Sequence, residues 1–235
     1  MDLIAHRGAS GLAPENTLAA FALALQHEPE WIELDVHVTL DGELVVMHDA
    51  TVDRTTNGRG AIAGMPLAEL RTLDAGGWFG EEHRGERVPL LEEVVALVGH
   101  RSRLDVEIKA GPDLAQAAAQ VVEVLRAGGV LAESEVSSFD LEAVLAVQAL
   151  TAEPALALIT GRAEDLRLCL QHGLPWLSIH QAAVTAELVA AAHAAGVRVA
   201  AWTINDLSRW EEFRAMGVDL FCTDMCHLAP AKGSR

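Results

Sequence analysis

Residues 31–49 read WIELDVHVTLDGELVVMHD. Two extended segments, WIELDV (31–36) and ELVVM (43–47), flank Asp41-Gly42, a dipeptide that favours tight hairpin turns because glycine accepts a positive φ. Between Asp35 and His48 there is no room for a helix, so a turn centred on Asp41-Gly42 makes these two residues rough cross-strand neighbours. Glu33 and Asp35 are two apart and therefore point to the same side of their strand.

Away from this hairpin the rhythm is different. Short apolar runs continue as LIA (3–5), LDVEI (104–108), EVSSF (135–139), ALALI (155–159), WLSIH (176–180), VRVAAWT (197–203) and VDLFC (218–222). Amphipathic stretches rich in Ala and Leu lie between most of them, at 15–27, 113–127, 140–149, 185–195 and 206–215. Nearly continuous apolar strands that alternate with helices predict a parallel sheet covered by helices. So many repeats favour a closed (β/α)₈ TIM barrel over an open doubly wound sheet, and no GxGxxG follows the first strand. Nine strand candidates compete for eight barrel positions, so one lies outside the barrel, and the pattern does not say which. The stretch from Ala50 to Pro89 is too long and too glycine-rich for an ordinary connection. It reads as an insertion at about 50–88, after the third strand, with one short helix at 66–73. No linker or repeat marks a second unit, so residues 1–235 are expected to form one domain.

Composition narrows the function. Half of the 235 residues are hydrophobic, tyrosine is absent, and the core must be built from Ala, Leu and Val. A net charge of -17 repels nucleic acid and anionic lipid, so neither is expected as a partner. A phosphate-bearing substrate would then need local cations or a metal. Cys169, Cys222 and Cys226 form neither a disulfide framework nor a complete zinc site and are expected to be reduced thiols. No signal sequence or membrane-spanning run is evident, which predicts a cytoplasmic protein without stable membrane association.

In a (β/α)₈ barrel the active site lies at the carboxyl ends of the strands. Those ends read His6-Arg7, Glu33-x-Asp35, His48-Asp49, Glu107-x-Lys109, Ser138-Phe139, His180, Trp202-Thr203-x-Asn205 and Thr223-Asp224. Three carboxylates converging from two strands repel one another unless a cation lies among them, and oxygen-only ligands suit a hard ion such as Mg²⁺ or Ca²⁺. Salt bridges to Arg7 and Lys109 are the alternative account of the same acids. His6 and His48 are candidates for proton transfer, and Arg7 and Lys109 supply the positive charge a phosphate needs. The chemistry that emerges is metal-assisted attack on a phosphate ester.

Several segments, in order, carry a resemblance: AHRGASGLAPENTLAAF (5–21), WIELDVHVTLDGELVVMHDATVDRTTNGRG (31–60), DAGGWF (74–79), RVPLLEEV (87–94), DVEIK (105–109), SSF (137–139), AAWTIN (200–205) and GVDLFCTD (217–224). They resemble the glycerophosphodiester phosphodiesterase family from about residue 3 to 225; the tail KGSR lies outside the match. The resemblance implies a TIM barrel with a small insertion and one divalent cation held by Glu33, Asp35 and Glu107. It implies His6 and His48 as general acid and base, and phosphate binding by Arg7 and Lys109. The substrate it implies is a small glycerophosphodiester, cleaved to sn-glycerol 3-phosphate and an alcohol.

Other residues carry weaker expectations. Trp202 is read as a wall of the alcohol side of the pocket, and His180 as a strand-end residue that could touch substrate. Glu15 and Asn16 could position the site, while Pro14 and Asn16 could equally start the first helix, and the role of Asp49 stays open. Ser138 lacks the adjacent base of a nucleophile. His27, His37, His83, His100, His172, His193 and His227 are read as surface. Two rival functions compete: a non-catalytic barrel that binds a phosphorylated metabolite, and a related phospholipase acting on lysophospholipids. The complete set of two histidines, three acids, Arg7 and Lys109 argues against the first. Oligomeric state is not legible.

Overall fold

The computed structural model describes residues 3–228; the KGSR tail lies outside the described residues. The strands are β1 (Leu3–Ala5), β2 (Trp31–Val38), β3 (Leu44–Val46), β4 (Arg103–Ile108), β5 (Glu135–Ser138), β6 (Ala155–Thr160), β7 (Trp176–His180), β8 (Arg198–Trp202) and β9 (Leu220–Thr223). The helices are α1 (Leu18–Leu25), α2 (Leu67–Leu70), α3 (Leu91–Val98), α4 (Leu114–Ala127), α5 (Leu141–Leu150), α6 (Leu166–His172), α7 (Ala186–Ala194) and α8 (Trp210–Ala215). Eight strands close a parallel barrel in the order β1, β2, β4, β5, β6, β7, β8, β9, with β1 paired to both β2 and β9. The expected (β/α)₈ barrel is what the chain forms.

The ninth strand candidate is β3. It pairs antiparallel with β2, Val36 opposite Val46 and Val38 opposite Leu44, and so extends the wall without entering the barrel. Gly42 at φ 87° makes the turn between them, and Met47 N donates to Asp35 O at 3.0 Å beyond the last strand pair. Asp35 thus faces Met47, one residue short of the expected His48.

Alternation along β2 and β4 sorts the side chains. Ile32, Leu34 and Val36, with Leu104, Val106 and Ile108, face the helices and join the main core with the buried positions of α4, Ala118, Val121 and Leu125. The opposite faces look into the barrel. There an apolar plug of Ile4, Trp31, Ala157, Trp176, Ala200, Leu220 and Cys222 shares the interior with buried Glu33, Asp35, Asp105, Glu107 and Glu135. A polar residue held inside such a barrel must be paired or functional.

Between β3 and α3 the insertion holds α2 and short 3₁₀ turns; the helix expected at 66–73 is confined to Leu67–Leu70. It packs around its own small core, in which Val45 from β3 meets Met47, Val52, Ile62, Leu70, Ala75 and Val88. All three cysteines are free and buried. Among the described residues, no helix is long and apolar enough to cross a membrane.

Candidate active site

The site begins where β1 stops. His6 N extends the β1–β9 ladder by donating to Thr223 O at 3.0 Å. Arg7 (φ 55°) and Gly8 (φ 81°) then turn the chain through the left-handed region. A side chain at Gly8 would meet the Ala20 carbonyl carbon at 2.7 Å, so only glycine lets this loop lie against α1. Asn16 (φ 57°) closes the same loop, its N–H donating to Arg7 O at 3.1 Å. Two non-glycine residues in the left-handed region cost roughly 1–3 kcal/mol each and persist where surrounding contacts hold them. Here those contacts lead to carboxylates: Arg7 N donates to Glu33 Oε2 at 2.8 Å, and Asn16 Nδ2 to Asp35 Oδ2 at 2.7 Å.

Glu33, Asp35 and Glu107 each bring one oxygen within 4.8 Å of the others, and all three are buried. The register explains this: Asp35 is paired with Glu107, and Glu33 with Asp105, across β2 and β4. Lys109 Nζ donates to Glu107 Oε1 at 2.6 Å and lies 3.2 Å from Asp35 Oδ1, while Arg7 Nε lies 3.4 Å from Asp35 Oδ2. Burial disfavours ionisation throughout, and at Asp35 the charges of Lys109 and Arg7 overcome it, holding the pKa down at about 2. Glu33 and Glu107 are pushed the other way, first by burial and then by the charge of Asp35, Glu107 to about 8.

This imbalance fits a hard divalent cation. Two cationic side chains face three clustered acids with Asp105 beside them, and Asp35 Oδ1 is buried without a hydrogen bond. Three carboxylate oxygens at this spacing form a hard-ion ligand set, and a dipositive charge among them would oppose both the burial and the repulsion that raise Glu33 and Glu107.

Above the acids lies a cavity of about 110 Å³. Its lining includes the charged and titratable His6, Arg7, Glu33, His48, Asp105 and Glu107 and the apolar Ile4, Phe139, Ile159, Trp202 and Cys222. Each histidine turns its Nδ1 to a carboxylate: His6 to Asp224 Oδ1 at 2.6 Å, and His48 to Asp49 Oδ1 at 2.7 Å. An Nδ1–H directed at a carboxylate leaves Nε2 as the atom able to accept or deliver a proton. Asp224 also accepts from Asn205 Nδ2 at 2.6 Å and Ser10 Oγ at 3.0 Å. His48 is depressed below the usual histidine range because burial disfavours the imidazolium, against the opposing pull of Asp35 and Asp49.

Residues 6–228 match the model of the glycerophosphoryl diester phosphodiesterase family. The chain belongs to this family. A glycerophosphodiester phosphodiesterase of Caldanaerobacter subterraneus subsp. tengcongensis is 36% identical over 229 residues, covering 94% of this chain and 93% of its own. A solved Oleispira antarctica phosphodiesterase, in complex with the product sn-glycerol-3-phosphate, superposes with a TM-score of 0.91 at 36% identity, over 95% of this chain and 93% of its own. A glycerophosphodiester phosphodiesterase from Agrobacterium tumefaciens does so at 0.83 and 32% identity, over 95% and 96%. The chain is accordingly an enzyme, a phosphodiesterase of this family, as its sequence implied.

Of the residues singled out from sequence, His6, Arg7, Glu33, His48, Glu107 and Trp202 share the cavity wall, with Asp35 and Lys109 against the same acids. Trp202 is packed edge-on by Phe139 at 5.4 Å and by His180 at 4.9 Å between ring centroids. His180 does not line the cavity. Ser138 Oγ donates to Ile108 O at 2.7 Å, a structural bond.

One reading needs correction. His37 is not a surface residue: it is buried, and its Nε2 lies 3.1 Å from the carbonyl oxygen of His48. It sits two residues after Asp35 on the same face of β2, a spacing visible in the sequence, and the insertion covers that end of the strand. His83, His172 and His227 are half-buried, while His27, His100 and His193 are exposed. The sequence assigned no role to Asp224, Asn205, Ser10 or Arg54. Asp224 and Asn205 stood at strand ends, the one signal available for them.

Proposed function

We propose that the enzyme hydrolyses small glycerophosphodiesters to sn-glycerol 3-phosphate and an alcohol, with His6 and His48 as the acid–base pair. The observation that carries this reading is the pair of histidines, each braced at Nδ1 by a carboxylate, on the wall of one cavity above three clustered acids. Glu33, Asp35 and Glu107 would hold one divalent cation, Mg²⁺ or Ca²⁺. When bound, it would polarise the phosphoryl oxygens and offset charge that develops on them.

The protein's own groups divide the remaining work. Arg7 and Lys109 bind the phosphate; Arg7 Nε makes no hydrogen bond and has only the longer ion-pair contact with Asp35 Oδ2 at 3.4 Å. One histidine takes a proton from the attacking oxygen through Nε2, and the other returns a proton to the leaving alkoxide. Two carriers are needed because the proton removed and the proton delivered belong to different oxygens. Trp202, with Phe139 against it, lines the cavity and packs the carbon skeleton of the substrate. Residues 1–235 act as one catalytic unit in this proposal, and its location is cytoplasmic, which cell fractionation tests.

The decisive assay measures release of sn-glycerol 3-phosphate from glycerophosphocholine, with and without chelator, beside hydrolysis of a lysophospholipid. The proposal expects chelator-sensitive turnover of glycerophosphocholine and little of the lysolipid. Preference for the lysolipid would move the enzyme to the phospholipase reading, and full turnover in chelator would remove the cation from the mechanism.

A further inference from the structure

Arg54 belongs to the irregular segment of the insertion and to no strand or helix. Its backbone is held on both sides. Val52 is fully buried in the small core and its N–H donates to Gly60 O at 3.0 Å, while Thr56 Oγ1 donates to Val52 O at 2.7 Å. From this anchored turn the guanidinium makes two forks. Nε and Nη2 donate to Asp49 Oδ2 and Oδ1 at 2.8 and 2.9 Å. Nη1 and Nη2 donate to Glu15 Oε2 and Oε1, both at 2.8 Å.

Each carboxylate so held touches a group of the site. Asp49 Oδ1 braces His48 Nδ1 at 2.7 Å, and Glu15 Oε1 accepts from Arg7 Nη1 at 2.7 Å. The contacts form one chain: Arg7, Glu15, Arg54, Asp49, His48. A planar fork restricts its partner in position and angle, which a point charge does not. Burial opposes the charge on Glu15, but hydrogen bonds from Arg54 and Arg7 keep it ionised; Arg54 is the first cause that holds Asp49 ionised. An isolated surface ion pair contributes little. Here the arginine side chain is 44% exposed, but Glu15 and Asp49 are only 14% and 28% exposed, and both lead inward.

We propose that Arg54 is a positioning residue: it ties the carboxylate that orients His48 to the carboxylate that holds Arg7, and so fixes proton transfer and phosphate binding in one geometry. This rests on the roles given to His48 and Arg7 above. It makes the insertion part of the active site. Glu15 and Asp49 are the two arms of the tie.

The test is steady-state kinetics on Arg54→Met and Arg54→Lys, alone and combined with His48→Ala, using glycerophosphocholine as substrate and thermal melts to verify folding. Loss of an outer contact that orients a site residue typically costs about 10- to 100-fold, so Arg54→Met should lower kcat/KM by roughly that factor, with kcat falling and KM rising. Arg54→Lys should restore only part, because an ammonium cannot fork to both carboxylates. In the His48→Ala background, Arg54→Met should still raise KM but no longer lower kcat. An equal loss of kcat in both backgrounds, or wild-type kinetics in folded Arg54→Met, overturns the proposal. Wild-type turnover in His48→Ala itself overturns the reading of the site, and this proposal with it. If Arg54→Met does not fold, Asp49→Asn and Glu15→Gln replace it. The first should chiefly lower kcat and the second chiefly raise KM, and the same change in both parameters for both variants overturns the tie.

Discussion

The two histidine–carboxylate pairs do the same thing locally and are built in different ways. His6 and Asp224 stand at the ends of β1 and β9, neighbouring strands of the closed barrel, with neutral Asn205 and Ser10 holding the carboxylate. His48 and Asp49 follow a strand outside the barrel, and their carboxylate is held by a cation, Arg54. One pair inherits its geometry from the sheet ladder. The other depends on the insertion folding over its own small core. The charge facing His6 is hydrogen-bonded but not offset, whereas the charge facing His48 is shared with a guanidinium. Hydrogen bonds of 2.6 and 2.7 Å therefore hide unequal electrostatics.

The largest expected effect removes each histidine in turn. General acid–base groups contribute about 10²- to 10⁴-fold each, so His6→Ala and His48→Ala should each lower kcat in that range with the fold intact. The double variant should lose far less than the product of the two, because the groups act as one unit. Across pH, each single variant should flatten one limb of a bell-shaped profile. Near wild-type turnover in either would make that histidine structural and end the comparison.

Next comes the cluster that both pairs overlook. Glu107→Gln removes one charge from the proposed ligand set, and activity and affinity for Mg²⁺ or Ca²⁺ should fall together, by at least about tenfold. Binding is read by calorimetry independently of turnover. Retained affinity with lost activity would leave Glu107 as a partner of Lys109 and nothing more.

A sharper version leaves the histidines in place and neutralises their carboxylates. Asp224→Asn takes away a charge that only neutral groups hold, and should lower kcat about 100-fold; Asp49→Asn, whose charge Arg54 already offsets, should lower it about tenfold, both within the range for groups that orient a site residue. Equal losses would show that orientation alone matters and that the electrostatic difference between the pairs has no catalytic weight.

Part of this contrast was legible in the sequence. The barrel was readable because its strands are apolar runs spaced by helices, and the acid cluster because Glu33 and Asp35, two apart, share a face. Which strand leaves the barrel was harder to read: ELVVM is as apolar as its neighbours, and the one mark on it was the Asp41-Gly42 turn with no helix before it, the hairpin that makes its pairing antiparallel. Both carboxylates of the histidine pairs were visible at strand ends, but Asp224 meets His6 across 218 residues, a distance at which spacing says nothing. Arg54 was harder still. Its segment has no periodicity, and its contact with Glu15 spans 39 residues between two loops. His37 alone was open to inspection, since it continues the parity of Asp35.

The smallest expected effect is on stability and has a definite sign. Burial opposes ionisation of Asp224, but hydrogen bonds from His6, Asn205 and Ser10 prevail and hold its pKa down to about 2. In the unfolded chain an aspartate titrates near ~3.9. The folded protein therefore binds fewer protons over that interval. The stabilisation is fully present above about pH 4 and is lost as pH falls through the folded value, near 2. With the side chain 29% exposed, solvent screening reduces the contribution to roughly 1–2 kcal/mol, a few degrees in Tm for a chain of this size. Thermal melts between pH 5 and pH 3 should fall less steeply for Asp224→Asn than for the wild type. The same variant at Asp49 should show its loss reduced by added salt, because Arg54, the partner there, is the more exposed one. Identical slopes for wild type and Asp224→Asn would mean that the barrel-built pair is no more than an orienting device, with its hydrogen bonds cancelled by the cost of burying the carboxylate.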